Sequence, residues 1–85
     1  MASAATTNSG YPACLKKEWL DDLMQFTLSK DESSWKAYMK SGKCLMMKAG
    51  LKVTITESPG MFGGTTGFIF EGTKAWTLRE AINRD

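Results

Sequence analysis

The apolar residues change their spacing at Gly42, and that change decides most of what this chain can become. Before Gly42 they recur in steps of four, four and three, through Leu15, Trp19, Leu23 and Phe26, with Leu20 and Met24 widening the row. Such a row is one face of a helix. Lys16, Lys17, Asp21, Asp22 and Gln25 take the opposite face, and the pattern fails near Leu28. A second helix is predicted to begin within "SKDE", capped by a Ser29–Glu32 box or by Asp31. Its apolar stripe is Trp35, Tyr38 and Met39, and Gly42 is placed to end it. After Gly42 the period becomes two. "KCLMM" reads as a short strand and "AG" as a turn. In "LKVTIT", Leu51, Val53 and Ile55 point one way while Lys52, Thr54 and Thr56 point the other. In "TTGFIFEG", Phe68 and Phe70 oppose Gly67 and Ile69, "EGT" is a tight turn, and "KAW" is a further short strand. Thr77 and Glu80 match a second capping box, so "LREAI" is predicted to be a helical turn that closes the domain.

Two helices followed by three or four short antiparallel strands make an α+β chain, with too few strands for a sandwich. A small, strongly bent sheet closing toward a barrel protects its edges and lets a helix cap the open end. The expected fold is an N-terminal helical hairpin, residues 11–42, packed on a small antiparallel SH3-like barrel, residues 43–85. Residues 1–10, "MASAATTNSG", are small, polar and aperiodic, and are expected to be a disordered tail.

A chain of 85 residues makes one domain with a thin core, which usually needs a cross-link, a metal or a partner. Histidine is absent, which removes the usual neutral-pH acid/base residue and the commonest zinc ligand. With only Cys14 and Cys44 available, neither a zinc site nor a Cys–His nucleophile can be assembled, and no cofactor is expected. The adjacent pairs Asp21-Asp22 and Asp31-Glu32 diverge on a helix, so they suit solubility and helix termini better than catalysis. The expectation is a non-enzymatic protein. The two cysteines are either buried thiols or one disulfide joining the segment before the first helix to the segment after the second. In the chain-entropy account, closing a loop of about 30 residues contributes roughly 3–4 kcal/mol. A disulfide implies an oxidising compartment, periplasmic or secreted; thiols leave the cytoplasm as the alternative. "ASAA" has the small residues that end a secretory signal but no apolar stretch ahead of it, so export implies a signal already removed. No apolar run reaches the roughly 18 residues of a membrane span.

The second half resembles a group of small exported bacterial proteins with SH3-like sheets, whose function is unassigned. The resemblance rests on "KCLMMKAGLKVTI", "GMFGG" and "AWTLREAI", and on the opening "GYPAC". It implies a Cys14–Cys44 pair and transfers no functional residue. "GLKVTITESPGMFGGTTGFIF" is also similar to a KOW element, a strand, glycine loop and strand that touches RNA or protein. Such loops are usually basic or polar, whereas Met61-Phe62 is apolar.

Three surfaces are candidates for binding. The loop Ser58–Gly64 carries Met61 and Phe62, as an exposed anchor for a partner or as a plug for the barrel mouth. Among the aromatics, Trp35, Phe68 and Phe70 read as core, while Tyr38 and Trp76, near element ends, are the better candidates for a peptide groove. Finally, no acid lies between Glu32 and Glu57, where Lys36, Lys40, Lys43, Lys48 and Lys52 fall. They form either a solvated face or a phosphate-contacting one. The formal charge of only +2 argues against nucleic acid. The leading expectation is a binding or inhibitory module of the bacterial envelope that takes a protein or peptide. A cytoplasmic KOW-like module touching RNA, and a structural subunit of an oligomer, are the alternatives.

Overall fold

The computed structural model describes residues 3–57 and 64–84. Two strands come first, β1 (Ser3–Thr7) and β2 (Pro12–Cys14), followed by two helices, α1 (Lys17–Leu28) and α2 (Glu32–Lys40). Then come β3 (Cys44–Met46), β4 (Lys52–Glu57), β5 (Thr65–Phe70), β6 (Thr73–Leu78), a 3-10 turn at Arg79–Ala81, and β7 (Ile82–Arg84). Among the described residues these strands form one antiparallel sheet in the order β3-β2-β6-β5-β4-β1-β7. This overturns the expected N-terminal hairpin on an SH3-like barrel. The helices are an excursion between β2 and β3, which pair with each other, so the chain leaves the sheet and returns to the same place.

The expected tail fails for a physical reason. Residues 3–7 lie between β4 and β7, with Ala5 and Thr7 buried. Small side chains carry little hydrophobic signal, yet they suit a strand held between two neighbours. Thr7 is tied on both sides: its hydroxyl donates to the Lys48 carbonyl at 2.6 Å and accepts from the Leu51 N–H at 3.0 Å.

The helical signals held at three of their four ends. Asp31 is the N-cap of α2 and accepts from the Ser34 N–H at 3.2 Å. α1 ends at Leu28, and Gly42 takes a positive φ of 82° just beyond α2. The start of α1 did not hold: the helix begins at Lys17, and Lys16 at its N-cap makes no side-chain capping bond. Leu15 therefore leaves the helical stripe. The second capping box also fails. Thr77 belongs to β6, where its buried hydroxyl donates to the Pro12 carbonyl at 2.7 Å, and only a 3-10 turn follows. A partner for β2 outweighed the local helix signal.

Strand alternation then builds two cores. Ala13, Val53, Ile55, Phe68 and Ala75 share one cluster with Met47 and Ala81. Cys14, one residue on from Ala13, points the other way and joins Cys44, Leu20 and Leu23 under the helices. Strand β2 thus serves both cores, and α1 and α2 cover only one of them.

Candidate binding face

Cys14 and Cys44 lie directly opposite each other on β2 and β3, with Cα atoms 3.9 Å apart and a sulfur–sulfur distance of 1.97 Å. They form a disulfide at the base of the helical excursion. Antiparallel neighbours alternate between hydrogen-bonded and non-hydrogen-bonded pairs, and the latter approach more closely. The N–H of Leu15 donates to Lys43 and that of Met47 to Tyr11, so the odd-numbered residues of β3 bond to β2. The cysteines occupy the non-bonded position between.

Half-buried aromatics from three elements pack against the cluster that contains this disulfide: Trp19 on α1, Tyr38 on α2 and Trp76 on β6. Lys43 lies over two of these rings, 5.3 Å from the Trp19 centroid and 4.7 Å from that of Tyr38. Lys16 stands 5.1 Å from Trp19. Two ammonium groups therefore share one indole, each attracted by the ring's π electrons and repelled by the other charge. Tyr38 also meets Phe26 edge to face at 5.0 Å, and its hydroxyl donates to an Asp22 carboxylate oxygen at 2.8 Å. That bond raises the phenol's pKa above its usual range, with desolvation and the Asp22 charge adding to the effect. At the N-terminus of α2, the Ser34 hydroxyl and N–H both donate to Asp31 and lower its pKa.

Helix α2 contains no fully buried side chain. Where it meets the end of α1 there is a groove of about 440 Å³ between Phe26, Lys30, Trp35 and Lys36. On the other side of the sheet, a notch of about 260 Å³ opens into the first core. Its floor includes Val53 and Phe68, and Leu15 and Leu45 stand at its lip.

Of the residues singled out in the sequence, Tyr38 and Trp76 rest on one cluster, and Lys43 joins Tyr38. Met61 and Phe62 lie outside the described residues. The five lysines are spread over several elements: Lys36 and Lys40 are on α2, Lys43 is in the bend before β3, Lys48 follows β3, and Lys52 is on β4. Trp35 and Phe70 are half-buried and Phe68 is buried. Trp19, Leu15 and Leu45 were not anticipated as surface features, and Lys16, expected on the polar helix face, was not anticipated beside Trp19. For Leu45 a signal was available. "CLMM" is uniformly apolar, and a strand of period two must turn half of such a run away from its own core.

Beside this face, Lys74 spans Trp76 and Glu57. Its ammonium lies 4.8 Å from the Trp76 centroid and 2.8 Å from a Glu57 oxygen, and it also bonds Thr56. Among the described residues, no group of three or more histidine, cysteine or carboxylate side chains is placed to hold a metal ion. Among the described residues, no helix is long and apolar enough to cross a membrane. Comparison with protein-family models, curated proteins and solved structures finds no match.

Proposed function

We propose that this chain is a non-enzymatic binding or inhibitory module of an oxidising compartment, the bacterial envelope, and that it takes a protein or peptide partner on the face around Cys14–Cys44. The observation that carries this reading is the half-open aromatic cluster, with Trp19, Tyr38 and Trp76 on a disulfide-anchored base and Lys43 across two of the rings. Amphipathic aromatics and a cation on a rigid base are what interface anchors are made of. Anchored rings lose little freedom when a partner arrives. The disulfide supports the compartment, because such bonds persist where the milieu is oxidising.

The test is capture by cross-linking from the native compartment, with wild type set beside Tyr38→Ala and Lys43→Glu. Loss of the same partner from both variants, at a temperature where circular dichroism shows each still folded, is the expected result. Retention of every partner by both variants refutes the face. Recovery of the native protein with two free thiols, read by non-reducing mass spectrometry, refutes the compartment.

A further inference from the structure

We infer that the open edge of β3 is a strand-addition site for an extended segment of a partner protein in which acidic and apolar residues alternate. This rests on the binding reading above and names its ligand. Among the described residues β3 ends the sheet order, and no strand pairs with its outer side. Because Lys43, Leu45 and Met47 turn their backbone groups toward β2, those of Cys44 and Met46 point outward. An incoming strand would find a donor and an acceptor at each of these two residues, the arrangement used by proteins that bind peptides at a sheet edge.

The flanking side chains define the occupant. Leu45 and Met46 are 52% and 44% exposed on opposite faces of the same edge, and Leu15 is 42% exposed beside the notch. A residue placed opposite Leu45 projects to Leu45's own face, over the notch. At about 260 Å³ the notch is smaller than the roughly 300–1,000 Å³ of small-ligand pockets. It suits one apolar side chain, and its floor is already core. Residues opposite Cys44 and Met46 would project to the other face, beside α2. Charge decides what they are. Lys43 and Lys48 bracket β3, Lys40 ends α2, and no acid occurs in residues 33–56. Among the described residues neither Lys16 nor Lys43 has a carboxylate partner, and both crowd Trp19. Carboxylates there would relieve that repulsion. A second copy of this chain fits less well, because it would bring its own lysines to the same seam.

The probe is a synthetic acetylated heptapeptide alternating Asp or Glu with Leu, titrated into the full oxidised chain with backbone amide shifts recorded. A Lys–Leu peptide and an acidic peptide N-methylated at alternate residues serve as controls. We expect the acidic peptide to move the Cys44 and Met46 amides, with Kd rising at least about tenfold between about 50 mM and 500 mM salt. N-methylation on one of the two possible registers should abolish the shifts. Met46→Pro removes an outward N–H without touching the β2 ladder, and proline is tolerated at such edge positions. It should weaken binding at least about tenfold. If that variant fails to fold, the N-methylated peptides give the same answer on the unaltered chain. Equal binding of the acidic and basic peptides, indifference to N-methylation in both registers, or no binding at low salt overturns the inference. So does a concentration-dependent dimer that protects the Met46 amide. Shifts confined to the Trp19 and Tyr38 rings would sink strand addition and leave the binding face standing. No shift at either place, together with unchanged capture by Tyr38→Ala and Lys43→Glu, would remove both.

Discussion

Reducing Cys14–Cys44 should remove a large share of this protein's stability. The bond closes a loop of 30 residues, and the chain-entropy relation gives such a closure about 12 cal/mol/K, or about 3.6 kcal/mol at room temperature. Folded chains of this size hold only about 4–13 kcal/mol in total. For a domain of this length, each kcal/mol moves the melting point by about 4–8 °C, so reduction should lower it by about 15–30 °C. The loop contains both helices, and without the bond its base is held by the three residue pairs of β2 and β3. Amide exchange in the reduced protein should therefore rise first in α1 and α2 and later in β4–β6. The assay is thermal unfolding by circular dichroism with and without a phosphine reductant, with thiol content checked by mass. A reduced chain that melts within about 5 °C of the oxidised one would refute the argument, since the unfolded-state constraint would then be worth less than about 1 kcal/mol.

Three further outcomes test individual contacts. A Cβ at Gly67 would sit 3.0 Å from the Trp76 ring and 2.8 Å from a Glu57 oxygen, so Gly67→Ala should displace the indole and cost about 1–3 kcal/mol in a urea titration read by tryptophan fluorescence; an unchanged midpoint and spectrum would show that the ring is not seated there. Asp31 is held charged by Ser34, so its contribution to stability is complete above the ordinary aspartate range and is lost as pH falls through its lower native value. Carboxyl NMR titration should place its midpoint below that of the same residue in Ser34→Ala, which keeps the capping N–H and loses the hydroxyl, and identical midpoints would refute the hydroxyl bond. Tyr38 is held neutral by Asp22, so its contribution is present below the ordinary tyrosine range and lost as pH rises through the higher native value. Alkaline absorbance titration of Asp22→Ala should show one phenol ionising earlier than in wild type, and an unaltered curve would show that the bond does not form.

Local chemistry carried the sequence reading some distance. Asp31 as a cap, Gly42 as a stop, the Glu71-Gly72 turn and the in–out order of Val53 and Ile55 against Thr54 and Thr56 are decided by bonds and sterics within a few residues of one another. These features therefore survive in any fold that contains the elements. The disulfide was legible as one of two options, because a chain with two cysteines and a thin core leaves few others. Everything that depended on distant partners was hidden. Ala5 and Thr7 become a strand only because β4 and β7 flank them. Thr77 leaves its capping box because Pro12 offers a carbonyl from 65 positions away, and Leu15 passes from an imagined helix face to the lip of a notch. Hydrophobic periodicity states that a residue has an inside and an outside. Which inside it joins depends on which strands pair, and in a sheet whose neighbours come from both ends of the chain that choice is made only by the assembled structure.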